Sequence, residues 1–248
     1  MITKTLSPSA LNVINQYMHF SLGSAVCAIP YFNNKTARMR IALRAYIGKG
    51  SPKDIHDEAS AIMIKNHISI DSVADEGLKK LLVDNNIGID CSGLAYYILS
   101  AESESLGKKT LGSHLSFTNR SGFLGKIRAK IRPVENCDVA TLANDANSHI
   151  VNLGDIRPGD MITMVSDSER DHILVVHRVE NADIYYTHAI AYAEDGLYGT
   201  GVRQGKIGLA TEPLTGSMSD IFKAVWSENK IVERAKKSKT EIRRLKWF

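Results

Sequence analysis

A cysteine that opens a helix, followed by two histidines on neighbouring strands, is the pattern in this sequence with the clearest chemical use. Cys91 stands in Ile87-Gly88-Ile89-Asp90-Cys91-Ser92-Gly93, a short turn leading into a helix that carries Leu94, Ile98 and Ala101. The first turn of a helix presents unpaired N–H groups and about half a positive charge. Both favour the thiolate, which is the nucleophilic form. The same N–H groups can receive a developing oxyanion, and Gly93 leaves room for a substrate to approach the backbone. A thiolate nucleophile needs a base, and the base needs an orienting group. His172 opens the β-rich run His172-Ile173-Leu174-Val175-Val176-His177-Arg178-Val179, with Asp171 before it. His188 closes the next run, which begins at Asp183. Adjacent antiparallel strands put both imidazoles on one sheet face beside the Cys91 helix. His177 is five residues from His172 and points to the opposite face.

The elements that position these groups follow from periodicity. Leu11, Ile14, Tyr17, Met18 and Leu22 recur at helical spacing and predict a helix over 7–28. Further helices are expected over 36–47, 53–66 and 71–85, the last capped by Asp71 or Ser72. Residues 105–150, rich in Gly, Ser, Asn and Arg, read as an irregular insertion. Ile156-Arg157-Pro158-Gly159-Asp160-Met161 is a turn feeding a strand, and two strands follow at 172–179 and 183–188. The glycines between 196 and 208 mark a hairpin, and 241–248 reads as a last strand or a frayed helix. Helices come first and strands later, which is the order of an α+β protein with an antiparallel sheet.

Composition bounds the alternatives. The chain has 248 residues, 44% hydrophobic and 23% charged, which suits one globular domain over 1–248. Its parts are a helical stretch 1–86, the nucleophile helix 87–104, the insertion 105–150 and the sheet 151–248. The net charge is +4. It is concentrated between Glu228 and Phe248, where eight basic residues outnumber three acids. That tail reads as a solvated face or an edge strand. The rest has no global basic field, so nucleic acid is not an expected partner. No apolar stretch approaches a membrane span. The N-terminus lacks the pattern of a signal peptide, which points to the cytosol or to release by another route. Cys27, Cys91 and Cys137 form no CxxC pair, and the eight histidines form no HExxH. No metal or other cofactor is therefore expected. Cys27 and Cys137 read as small buried hydrophobes. Gly48-Lys49-Gly50-Ser51 lacks the spacing of a phosphate loop.

Gly88-Ile89-Asp90-Cys91-Ser92-Gly93-Leu94 resembles the nucleophile motif of the NlpC-type cell-wall cysteine peptidases. Ile156 to Met161 resembles that family's entry strand, Asp171 to Val176 its base strand, and Tyr186-Thr187-His188-Ala189 the segment bearing its third polar residue. The order of the three pieces matches as well. The matching pieces lie within 88–100 and 153–191. The family's upstream aromatic segment has only a distant counterpart here, Pro30-Tyr31-Phe32-Asn33-Asn34. The resemblance implies a papain-like domain, N-terminal helices packed on an antiparallel sheet, and a Cys91–His172–His188 triad. It implies hydrolysis of an amide in peptide or muropeptide substrates, with Asp90, Ser92 and Tyr31 forming a polar pocket for a substrate amine. Two alternatives stand beside it. One is an amidase, deamidase or acyltransferase using the same thiol on a protein or lipid. The other is a papain-like domain that binds without catalysis.

Overall fold

The periodicity of the chain changes near residue 150, and its architecture changes there too. The computed structural model describes residues 3–33, 43–118, 122–167, 170–209 and 218–248. Strand β1 (Thr3–Thr5) leads to helix α1 (Pro8–Met18), where the Ser7 side chain accepts from the Ala10 amide. The helix expected to reach residue 28 stops at Met18 and gives way to a hairpin, β2 (Phe20–Leu22) and β3 (Ala25–Cys27). Gly23, at φ +62°, supplies the left-handed residue in its turn.

Residues 34–42 lie outside the described set, and with them most of the helix expected over 36–47; Arg44–Ile47 forms a 3₁₀ turn. Helix α2 (Pro52–Lys65) begins with a capping box between Ser51 and Asp54. Helix α3 (Asp75–Asp84) is preceded by Ala74. Asp71 and Ser72, the expected caps, instead belong to a separate 3₁₀ turn. Helix α4 (Cys91–Ser105) carries the nucleophile candidate. The expected irregular insertion holds four short helices: α5 (Leu111–His114), α6 (Gly122–Ile131), α7 (Pro133–Asn136) and α8 (Val139–Leu142).

The remaining elements are β4 (Ser148–Ile150), β5 (Met161–Val165), β6 (His172–Glu180), β7 (Asp183–Ile190), β8 (Gly201–Gly208), α9 (Met218–Ile221), β9 (Val225–Trp226), α10 (Asn229–Lys237) and β10 (Lys239–Leu245). The sheet runs β4-β10-β5-β6-β7-β8-β9, with β1 added to β6, and its pairings are antiparallel. The class is α+β, as the order of elements predicts. The basic tail departs from expectation. It forms α10 and then β10, an interior strand paired on both sides. Arg243 is buried there because Ser148, Glu241 and Asp145 satisfy its guanidinium. Arg244 meets the Asp160 carboxylate at 2.7 Å.

Alternation along β6 and β7 builds two cores. Ile173, Val175 and Ala189 pack with Leu94, Ala95 and Ile98 of α4. Leu174, Val176, Tyr186 and Ile190 pack with Trp226, Ile231 and Ala235. Each fully buried Leu or Ile contributes about 1.5–3 kcal/mol, so the site between the layers rests on well-anchored elements. Among the described residues, no helix is long and apolar enough to cross a membrane.

Candidate active site

Helix α4 begins at Cys91 because Asp90 caps it, its Oδ1 accepting from the Gly93 amide at 2.6 Å. Gly93 does not open a path for substrate as expected. A Cβ there would meet the Gly48 carbonyl oxygen at 2.7 Å, so the missing side chain serves internal packing. Cys91 is buried, 6% exposed. Its thiol contacts the Asp171 carbonyl at 4.0 Å and takes a backbone hydrogen bond from Ile173. The sulfur thus lies against the strand backbone on both sides of His172. Burial pushes this thiol up to about 12, and the Asp90 charge adds to the effect against the pull of Lys49 and the Ile173 amide. The resting group is a thiol, not the thiolate expected from the helix end, because desolvation of the charged form outweighs the helix field.

The two histidines meet on one sheet face, as the strand pattern predicts, but that face is not the one beside the Cys91 helix. They share the register of Leu174, Val176 and Tyr186, which pack towards Trp226, whereas Ile173, Val175 and Ala189 face α4. His172 Nε2 and His188 Nδ1 are 2.9 Å apart, and His188 Nε2 lies 2.9 Å from Glu228 Oε2. A carboxylate only accepts, so His188 carries its proton on Nε2. Its Nδ1 is then the acceptor for the N–H of His172 Nε2. That tautomer leaves His172 Nδ1 as the nitrogen with a free lone pair. Glu228 also accepts from Tyr186 Oη at 2.8 Å and Tyr192 Oη at 3.4 Å. Burial holds His172 well below its ordinary value, with His188 adding to the shift. Burial lowers His188 too, although Glu228 opposes it. For Glu228, burial acts upward, but hydrogen bonds from His188 and Tyr186 and the Arg203 charge prevail, so its pKa falls. His177 sits apart from this relay. It pairs with Thr187 Oγ1 at 3.0 Å, next to a bulge between Val176 and Arg178.

Tyr31 reaches the site across sixty residues of chain. It forms a bridge with Ile89, and the Phe32 amide donates to the Ile89 carbonyl at 3.2 Å. Its phenol is pushed up to about 12 by burial first, and then by the charges of Cys91 and Asp90. The expected amine pocket is nevertheless already filled. Lys49 Nζ donates to Asp90 Oδ1 at 2.9 Å, Ser92 Oγ at 2.6 Å and the Cys137 carbonyl at 2.8 Å. Asp90 and Ser92 are therefore partners of the protein's own ammonium, not vacant acceptors for a substrate amine. A cavity of about 290 Å³ opens beside the thiol, walled in part by Lys49, Asp90, Ser92, Glu135, Asp138 and Arg170. Among the described residues, no cluster of His, Cys, Asp and Glu is arranged to hold a metal ion.

Sequence reasoning missed two residues. Lys49 was visible only as part of a glycine-flanked loop, and Glu228 only as one acid in a basic tail. Neither has a spacing relationship to Cys91 or His188 that marks it. No family model, curated protein or solved structure matched the chain.

Proposed function

We propose that this protein is a cysteine hydrolase of amide bonds, with peptidoglycan stem peptides as its substrate class. The observation that carries the reading is the hydrogen-bonded series His172–His188–Glu228, which ends at the strand backbone touched by the Cys91 thiol. For the Cys91 proton to pass to the lone pair on His172 Nδ1 as sulfur attacks the scissile carbonyl, the imidazole at the start of β6 must turn past the strand from the face it shares with His188. Imidazolium formed on His172 is stabilised through His188 by Glu228. The first amides of α4 receive the oxyanion. His172 then protonates the leaving amine, and water hydrolyses the thioester with His172 again as base. Because thiol and imidazole are both neutral at rest, proton transfer accompanies attack instead of preceding it. The substrate class rests on the resemblance of residues 88–94, 156–161, 171–176 and 186–189 to the NlpC-type peptidases, whose papain-like architecture this reading also adopts.

The test is incubation of purified muropeptides with wild type, Cys91→Ala, His172→Ala and His177→Ala, with products identified by mass spectrometry. Wild type and His177→Ala should release stem-peptide fragments, and Cys91→Ala and His172→Ala should not. Turnover retained by Cys91→Ala would overturn the mechanism. Inert muropeptides alongside a cleaved protein amide would move the substrate class to amidase or deamidase chemistry.

A further inference from the structure

Helix α6 is oriented the wrong way round for a soluble protein. Of its ten residues only Ala129 is buried. Phe123, Leu124 and Ile131 are 78%, 79% and 73% exposed, and Ile127 is also exposed. At about 100° of turn per residue, these four side chains span an arc of roughly 100° centred nearly opposite Ala129. The apolar stripe therefore faces away from the protein, whereas a surface helix normally turns it inward. Scattered exposed apolar residues are ordinary, but a contiguous stripe marks an interaction surface. Lys126 and Lys130 flank the stripe on one side and Arg128 on the other, all exposed. Lys130 also reaches the Leu115 carbonyl at 2.7 Å.

The charge around the stripe identifies what covers it. Along the chain between Ser105 and Val134 stand Lys108, Lys109, Arg120, Lys126, Arg128, Lys130 and Arg132 and no Asp or Glu. Arg132 pairs with Glu135 at 3.0 Å, which leaves Lys126, Arg128 and Lys130 of α6 as the cations beside the stripe. We propose that α6 is an interfacial helix, laying Phe123, Leu124, Ile127 and Ile131 into the surface of an anionic lipid bilayer with its basic residues among the headgroups. A nucleic acid would engage the cations but would leave the apolar arc in water. Ten helical residues extend only about 15 Å, so the helix lies on the bilayer and does not span it. Docking has a geometric consequence. Helix α6 runs into α7, whose Glu135 walls the cavity beside Cys91. The proposal itself does not rest on any reaction at Cys91.

The test is co-sedimentation of the full chain with vesicles of phosphatidylcholine alone or of equimolar phosphatidylcholine and phosphatidylglycerol. Wild type should bind the mixed vesicles at least about tenfold more tightly than the neutral ones, and high salt should weaken binding. Phe123→Gln/Leu124→Gln should lose about tenfold or more on the mixed vesicles while keeping the wild-type Tm, because both side chains are exposed. Lys126→Gln/Arg128→Gln should lose about 25-fold, roughly fivefold per basic residue. Three results would overturn the proposal. One is failure of wild type to sediment. Another is undiminished binding by Phe123→Gln/Leu124→Gln, with duplex DNA competing for the same surface. The third is a wild-type dimer, indifferent to vesicles, that Phe123→Gln/Leu124→Gln dissociates.

Discussion

The Lys49 ammonium lies 2.9 Å from the Asp90 carboxylate, and both side chains are buried beside the Cys91 thiol, at 8% and 10% side-chain exposure. Asp90 thus holds two structural duties, as cap of α4 and as counter-ion of Lys49. Removing one partner of such a pair leaves a desolvated charge and costs about 3–5 kcal/mol. Lys49→Met should therefore lower the unfolding free energy by that amount in urea titrations. Asp90→Asn retains a capping side chain, and the double variant Lys49→Met/Asp90→Asn should cost clearly less than the sum of the singles. Strict additivity would show that the two do not act as a pair.

Alkylation of Cys91 reports its resting protonation. Burial and Asp90 push the thiol up to about 12, so iodoacetamide should label it slowly at neutral pH. The rate should climb about tenfold per pH unit into the mildly alkaline range, following the thiolate fraction. A rate that is already flat near neutrality, measured by peptide mass mapping, would instead reveal a preformed thiolate–imidazolium pair.

Glu228 sets the proton position on His188, and so which nitrogen of His172 is basic. Glu228→Gln removes the counter-charge to the His172 imidazolium and permits the opposite tautomer of His188. The expected outcome is a fall in kcat of about 10²–10⁴-fold with little change in KM. Tyr186→Phe removes one donor to the same carboxylate and should cost far less, about tenfold. Comparable kcat for wild type and Glu228→Gln would remove Glu228 from the mechanism.

Acid should destabilise the fold from the histidine side. His172 and His188 are lowered by burial, and His177 is lowered to about 4 from 6.5. Below 6.5 the unfolded chain binds protons that the native state refuses, so stability is present above this value and is lost as pH falls through the window towards 4. Each such histidine contributes a slope of up to about 1.4 kcal/mol per pH unit. Urea titrations at stepped pH should show this, and His177→Gln should reduce the slope by about one histidine's share. An unchanged slope in that variant would mean that His177 protonates freely in the native state.

What was legible in the sequence was what neighbouring residues determine. Asp90 ahead of a helical run marks the start of α4, and alternation along 172–176 and 183–188 aligns His172 with His188. The parts decided by distant contacts were not legible. Lysine is almost never fully buried, and nothing near Lys49 announces that Asp90, Ser92 and the Cys137 carbonyl will surround it. Glu228 comes forty residues after His188 and reaches it only because β9 returns the chain to β8. The thiolate expectation failed for a related reason: a helix end can be seen in a sequence, but the desolvation of the group standing on it cannot.

The interior place of β10 has a consequence for how this protein reaches its native state. Strands β5 to β8 can pair as successive hairpins, but the far edge of β5 is satisfied by β10, about eighty residues later in the chain. Until then Met161-Ile162-Thr163-Met164-Val165 presents an apolar, uncharged edge with unpaired amides and carbonyls. Such an edge is a template for pairing between chains. Lys239, Glu241 and Arg243 bring charge alongside it only when β10 docks. Substitutions that weaken β10 should therefore appear first as aggregation during refolding, before any loss at the distant cysteine.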